Sequence, residues 1–139
     1  MDSTTTFSTA SPLRILLVDD FRPFREVLRC LFDPFADLAV IGEAADGHSA
    51  IEMALYLDPH VIIIDVRMPR LGGVEATRRI KRVLPCVHVI GVSSEEDPVT
   101  QDAMKAAGCS AFVPKDCSYT LPHVIAQITG RRVADENFC

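Results

Sequence analysis

Val61-Ile62-Ile63-Ile64 is an unbroken apolar run that ends abruptly in Asp65. Ile15-Leu16-Leu17-Val18 is a second such run, and it ends in Asp19-Asp20. A short run with no polar face fits a strand buried on both sides, as strands are in parallel sheets. Acids at the carboxyl ends of such strands lie where open α/β sheets place their sites. Three carboxylates converging there would repel one another unless a cation lay between them.

The rest of the chain alternates in the same way. Strands are expected at about 14–18, 38–43, 61–64, 87–92 and 111–113. Helices are expected at about 23–32, from Asp46-Gly47 to Asp58-Pro59, at 74–83, from Pro98 to Gly108, and at 119–128. Phe24, Val27, Leu28 and Leu31 form one apolar face of the first helix. Asp97 reads as a cap, with Pro98 in the first turn. Five strands alternating with five helices imply an α/β domain, a parallel sheet with helices on both faces. The domain is expected over 13–130, after a flexible lead at 1–12 and before a polar tail or linker start at 131–139.

At 139 residues, 48% hydrophobic and 24% charged, the chain suits one globular domain. Its net charge of −5 argues against a broad nucleic-acid surface. No apolar stretch approaches the ~20 residues of a membrane span, and the Ser/Thr-rich start does not read as a signal peptide. A cytoplasmic location is expected. Cys30, Cys86, Cys109, Cys117 and Cys139 never form a CxxC pair, so neither a disulfide framework nor a zinc site is expected. Cys30, Cys86 and Cys109 read as small core residues. His48, His60, His88 and His123 share no ligand spacing. The basic residues Arg78, Arg79, Lys81 and Arg82 read as a solvated helix face.

Chemistry alone gives the acids roles. Asp65 is a candidate nucleophile, because a carboxylate can form an aspartyl phosphate. Asp19 and Asp20 would hold a divalent cation with it, and hard oxygen ligands suit Mg²⁺, with Mn²⁺ as a substitute. Ser93, after the fourth strand, could reach a phosphoryl oxygen on Asp65. Lys115, after the fifth, supplies a positive charge for the same group.

Leu17-Val18-Asp19-Asp20, Asp65-Val66-Arg67-Met68-Pro69, Val92-Ser93-Ser94 and Phe112-Val113-Pro114-Lys115 resemble, in order and spacing, the motifs of receiver domains of two-component response regulators. The resemblance covers roughly 13–130. It implies a flavodoxin-like fold with strand order 2-1-3-4-5. It also implies a phosphoacceptor signalling domain, with no catalysis beyond its own phosphotransfer and dephosphorylation. A sensor histidine kinase or histidine phosphotransfer protein would donate to Asp65, and the Arg67 backbone carbonyl would join Asp19, Asp20 and Asp65 around the metal. Ser93 and Phe112 would form the switch, read out on the surface of the fourth helix, fifth strand and fifth helix. Lys115-Asp116 is similar to the NarL/LuxR type, implying transcriptional control, DNA contact only through a further C-terminal domain, and a homodimer on activation. The alternative is a stand-alone receiver acting by protein–protein contact.

Some features depart from this pattern or tune it. Pro114 removes a ladder donor and suits an edge strand. Ser93 keeps the hydroxyl of the commoner Thr with a freer rotamer. Arg67 and Glu95 lie two residues past Asp65 and Ser93, and an ion pair between them is expected to modulate attack by water on the phosphoryl group. A flavin or nucleotide site would need a Gly/Ser/Thr-rich loop after the first strand, where Asp19-Asp20-Phe21-Arg22-Pro23 stands instead. An aspartate-nucleophile phosphatase would have a second Asp at 67. A degenerate receiver is disfavoured, since every required side chain is present.

Overall fold

The computed structural model describes residues 11–134 except Glu96. Most of the expected lead and the end of the tail, with Cys139, lie outside the described residues. β1 (Leu13–Val18), β2 (Leu38–Ala44), β3 (Val61–Asp65), β4 (His88–Ser93) and β5 (Ala111–Pro114) alternate with α1 (Arg22–Phe32), α2 (Gly47–Leu57), α3 (Gly73–Val83), α4 (Pro98–Ala107) and α5 (Leu121–Thr129). The strands form one parallel sheet in the order β2-β1-β3-β4-β5. This is the flavodoxin-like fold that the resemblance implied.

The apolar runs split by the two-residue period of a strand. Ile15, Leu17, Val61, Ile63, Ile90 and Val92 pack with Leu28 and Phe32 of α1 and Leu121 and Ile125 of α5. Leu16, Val18, Ile62, Ile64 and Val89 pack on the other face with Ala54 of α2, Ile80 of α3 and Met104 of α4. All five residues of β3 are buried. Each aliphatic side chain taken out of water there contributes about 1.5–3 kcal/mol. β3 is also the middle strand, so its end is fixed from both sides and from both faces.

Side chains set the helix starts. Asp46 caps α2 by accepting from Ser49 N at 2.8 Å. Asp97 caps α4, accepting from Val99 N at 3.1 Å and from Thr100 Oγ1 at 2.8 Å. Gly108 ends α4 at φ 112°, a left-handed conformation that glycine adopts without steric cost.

Three expectations need correction. The last helix begins at Leu121, not near 119, and a 3-10 helix over Lys115–Thr120 precedes it. Pro122 explains this, because inside a helix starting at 119 its ring would crowd the carbonyl four residues back, whereas the first turn accommodates it. Cys30 and Cys86 are exposed, so neither is the small core residue expected, whereas Cys109 is partly buried and packs against the core. Cys30 falls on the outer side of α1, because Leu28 and Phe32 take the inward positions. Pro114 lies within β5, one residue beyond the expected strand end, and β5 is an edge strand, where proline is tolerated.

Candidate functional site

The carboxyl ends of β1, β3, β4 and β5 bring Asp19, Asp65, Ser93 and Lys115 to one edge of the sheet. β3 and β4 pair with Asp65 opposite Val92, and β4 and β5 with Ser93 opposite Pro114. Register alone therefore sets Asp65, Ser93 and Lys115 side by side.

Asp19, Asp20 and Asp65 each offer an oxygen within 4.8 Å of the others. Asp19 is 1% exposed and Asp65 6% exposed, while Asp20 reaches solvent. Asp19 Oδ1 accepts from Phe21 N at 2.8 Å. Asp19 Oδ2 is buried and faces Lys115 Nζ at 2.7 Å as an ion pair, without a well-directed hydrogen bond. Asp65 Oδ1 takes a long hydrogen bond, 3.4 Å, from Arg67 N, and its Oδ2 lies 3.7 Å from Lys115 Nζ.

Burial, and next the charge of Asp19, push the Asp65 carboxyl from 3.8 up to about 6, against the pull of Lys115. One lysine does not balance three acids. An incompletely bonded buried oxygen and an all-oxygen donor set fit a hard divalent cation, Mg²⁺ above all. Among the described residues no histidine or cysteine joins the three acids.

Ser93 is buried, and its Oγ accepts from Glu95 N at 3.1 Å. Phe112 is partly buried and packs beside Gly91 and Met104. Arg67 Nη2 and Glu95 Oε1 meet at 2.8 Å, with both side chains about three-fifths exposed. The expected pair is therefore present, spanning the loops after β3 and β4. Arg78 and Arg79 pair with Glu75 of the same helix, and Lys81 Nζ donates to Pro85 O and Val87 O, beyond the end of α3, at 2.7 Å.

Several residues around the site escaped the sequence reading. Phe24 lies under Lys115, with Nζ 4.5 Å from the ring centroid. Arg25 Nη1 donates to Asp19 O at 2.5 Å, and its Nε to Glu43 Oε1 at 2.6 Å. Burial raises the Glu43 carboxyl, but Arg29 and Arg25 more than offset it and hold it low. Arg70, at φ 68°, pairs with Asp46 at 3.0 Å and ties the loop after Asp65 to the start of α2. Phe24 carried a signal, but its place on the apolar helix face made it read as core. The arginines carried none, since Glu43 and Asp46 are remote from them in sequence and the nearer Asp19 contact is to a backbone carbonyl.

The model of the response regulator receiver domain family matches residues 15–126. A protein-glutamate methylesterase/protein-glutamine glutaminase of Thermotoga maritima is 39% identical over 127 residues, covering 89% of this chain and 35% of that protein. Response regulator GacA of Pseudomonas protegens is 35% identical over 104 residues, covering 74% of this chain and 48% of that protein. The chain thus spans about a third to a half of the length of these relatives. Among solved structures, the signal receiver domain of the response regulator NarL from Mycobacterium tuberculosis superposes with a TM-score of 0.81 at 26% identity, covering 88% of this chain and all of that one. The response regulator domain of Thermotoga maritima CheB gives 0.76 at 31%, covering 92% of this chain and 98% of that one. With the fold, the three acids and Lys115 in place, the chain belongs to the response regulator receiver domain family.

Proposed function

We propose that the chain accepts a phosphoryl group on Asp65 from the phosphohistidine of a sensor kinase or phosphotransfer protein. One observation carries this reading. A buried carboxylate, raised to about 6 and so ionised at neutral pH, lies 3.7 Å from an ammonium and beside two further acids. An Asp65 oxygen attacks phosphorus, the new P–O bond replaces the P–N bond, and the imidazole leaves and regains a proton from solvent. Asp19, Asp20, Asp65 and the Arg67 backbone carbonyl would hold Mg²⁺, with Mn²⁺ as a substitute. The ion supplies positive charge to the phosphoryl oxygens. Lys115 moves from Asp19 toward the phosphoryl group and balances the added charge. Ser93 Oγ rotates toward the same group, and Phe112 turns inward beside it. The change biases the surface of α4, β5 and α5.

The Arg67–Glu95 pair, which joins the loops after β3 and β4, would tune the lifetime of the acyl phosphate by modulating attack by water. The Lys115-Asp116 sequence and the likeness to the NarL receiver support a NarL/LuxR-like subtype. Such a regulator would act on transcription in the cytoplasm, dimerise when phosphorylated, and touch DNA only through a domain beyond this receiver. The methylesterase relatives favour a second reading, in which the receiver controls a protein partner without DNA. Among the described residues no helix is long and apolar enough to cross a membrane.

The test is incubation with Mg²⁺ and a small acyl phosphate, followed by intact mass. One phosphoryl adduct is expected, absent when chelator is present from the start and absent in Asp65→Asn. An unmodified chain with every donor, phosphohistidine included, would overturn the reading.

A further inference from the structure

Lys115 is held by more than carboxylates. Its ammonium rests 4.5 Å from the centroid of the Phe24 ring, inside the distance at which an aromatic face attracts a cation. Phe24 stands in the first turn of α1, where Pro23 fixes the backbone and Phe24 N donates to Phe21 O at 3.1 Å. The ring also packs against the buried cluster of β1, β3 and α5. Its position is therefore fixed by the helix start and by the core.

The ammonium it carries is mobile by nature. A lysine stem has four rotatable carbons and much rotamer freedom. Asp19 draws Nζ to 2.7 Å, while Asp65 stays at 3.7 Å. Those two attractions change whenever the acids take up a cation or a phosphoryl group. The attraction of the ring face does not change, because the ring is neutral and takes no part in the chemistry.

We propose that Phe24 is a positioning residue for Lys115, whose ammonium it holds beside Asp65 through a cation–π contact while the anionic partners change. The inference rests on the phosphoacceptor reading above. Phe24 and Lys115 together line an apolar hollow of about 390 Å³ with Phe21, Pro23, Val27 and Ser94, so ring and lysine share one surface.

Fluorinated phenylalanines at position 24 separate this role from packing. Successive fluorines drain the negative ring face while nearly keeping size and apolarity. Across mono-, tri- and pentafluoro rings, the rate of Mg²⁺-dependent phosphorylation by an acyl phosphate is expected to fall stepwise, about three- to tenfold in all, at little-changed Tm. Phe24→Leu is expected to match the slowest member and Phe24→Tyr to restore the wild-type rate. If Phe24→Leu does not fold, the fluorinated series alone decides.

NMR of the unphosphorylated protein adds a readout independent of the reaction. The ε-methylene protons of Lys115 should carry an upfield ring-current shift, kept in Phe24→Tyr and lost in Phe24→Leu. A flat rate across the series in a chain whose wild type is phosphorylated overturns this inference alone, as does the absence of the ring-current shift. A wild type that accepts no phosphoryl group from any donor overturns it together with the phosphoacceptor reading.

Discussion

The Nζ of Lys115 lies 2.7 Å from Asp19 Oδ2, closer than to any oxygen of the proposed acceptor, Asp65. The lysine thus partly neutralises an acid cluster suited to a divalent ion. Lysine and cation compete for the same negative charge. Lys115→Met is expected to bind Mg²⁺ at least ~5-fold more tightly and to be phosphorylated at least ~10-fold more slowly. Titration calorimetry and a phosphorylation time course read the two effects. A loss of both Mg²⁺ affinity and rate would instead show a collapsed site.

The raised Asp65 carboxyl predicts a pH dependence of stability. Its folded value of about 6 lies above the ordinary 3.8, so the folded chain binds the proton more tightly than the unfolded chain. The contribution of this group is most favourable below its unfolded value and is lost as pH rises through about 6. Without metal, Asp65→Asn should match the wild type in stability near pH 4. It should exceed the wild type at pH 7.5 by at most ~3 kcal/mol. Chemical denaturation in chelator at the two pH values checks this, and an equal difference at both would contradict it.

Gly73 begins α3 against the backbone of the acceptor. A Cβ there would stand 2.4 Å from Asp65 O, a backbone atom that cannot swing away. Gly73→Ala should therefore cost ~1–3 kcal/mol and also slow phosphorylation. Gly130, at φ 69° with open space around it, offers the contrast. Gly130→Ala should cost ~1–2 kcal/mol of backbone strain and leave the phosphorylation rate unchanged.

Arg67 and Glu95 are joined at 2.8 Å in an exposed pair, worth only ~0–1 kcal/mol to the fold. Arg67→Ala and Glu95→Ala should shift Tm by no more than about 4 °C. They should change the half-life of the phosphorylated chain, measured after removal of donor, by a few-fold. Unchanged half-lives in both would remove the pair from any role at the site.

Much of this site was legible before the fold was known. The runs Ile15–Val18 and Val61–Ile64 are apolar on both faces, so their burial in a parallel sheet and the position of the acids that end them followed, while the strand order came with the family resemblance. Ser93 and Lys115 followed for the same reason, since a parallel register brings strand ends together. The Arg67–Glu95 pair was legible because each partner sits two residues past a strand end that was itself legible. Contacts between helix and loop were not. Phe24 could be assigned to the inner face of α1, but which atom it would meet depends on where the chain after β5 places Lys115. Arg70 and Asp46 lie far apart in sequence, and only the folded loop joins them. The 3-10 helix before α5 escaped because the apolar spacing from 119 onward ignores what Pro122 does to the turn before it.

Borohydride trapping locates the chemistry most directly. An acyl phosphate on aspartate is reduced to homoserine, whereas a free carboxylate is untouched. After Mg²⁺ and a small acyl phosphate, peptide mapping of the reduced chain should find homoserine in place of Asp65 and nowhere else, with none when chelator is present. Homoserine in place of another acid, or a phosphoryl adduct that survives in Asp65→Asn, would contradict Asp65 as the acceptor.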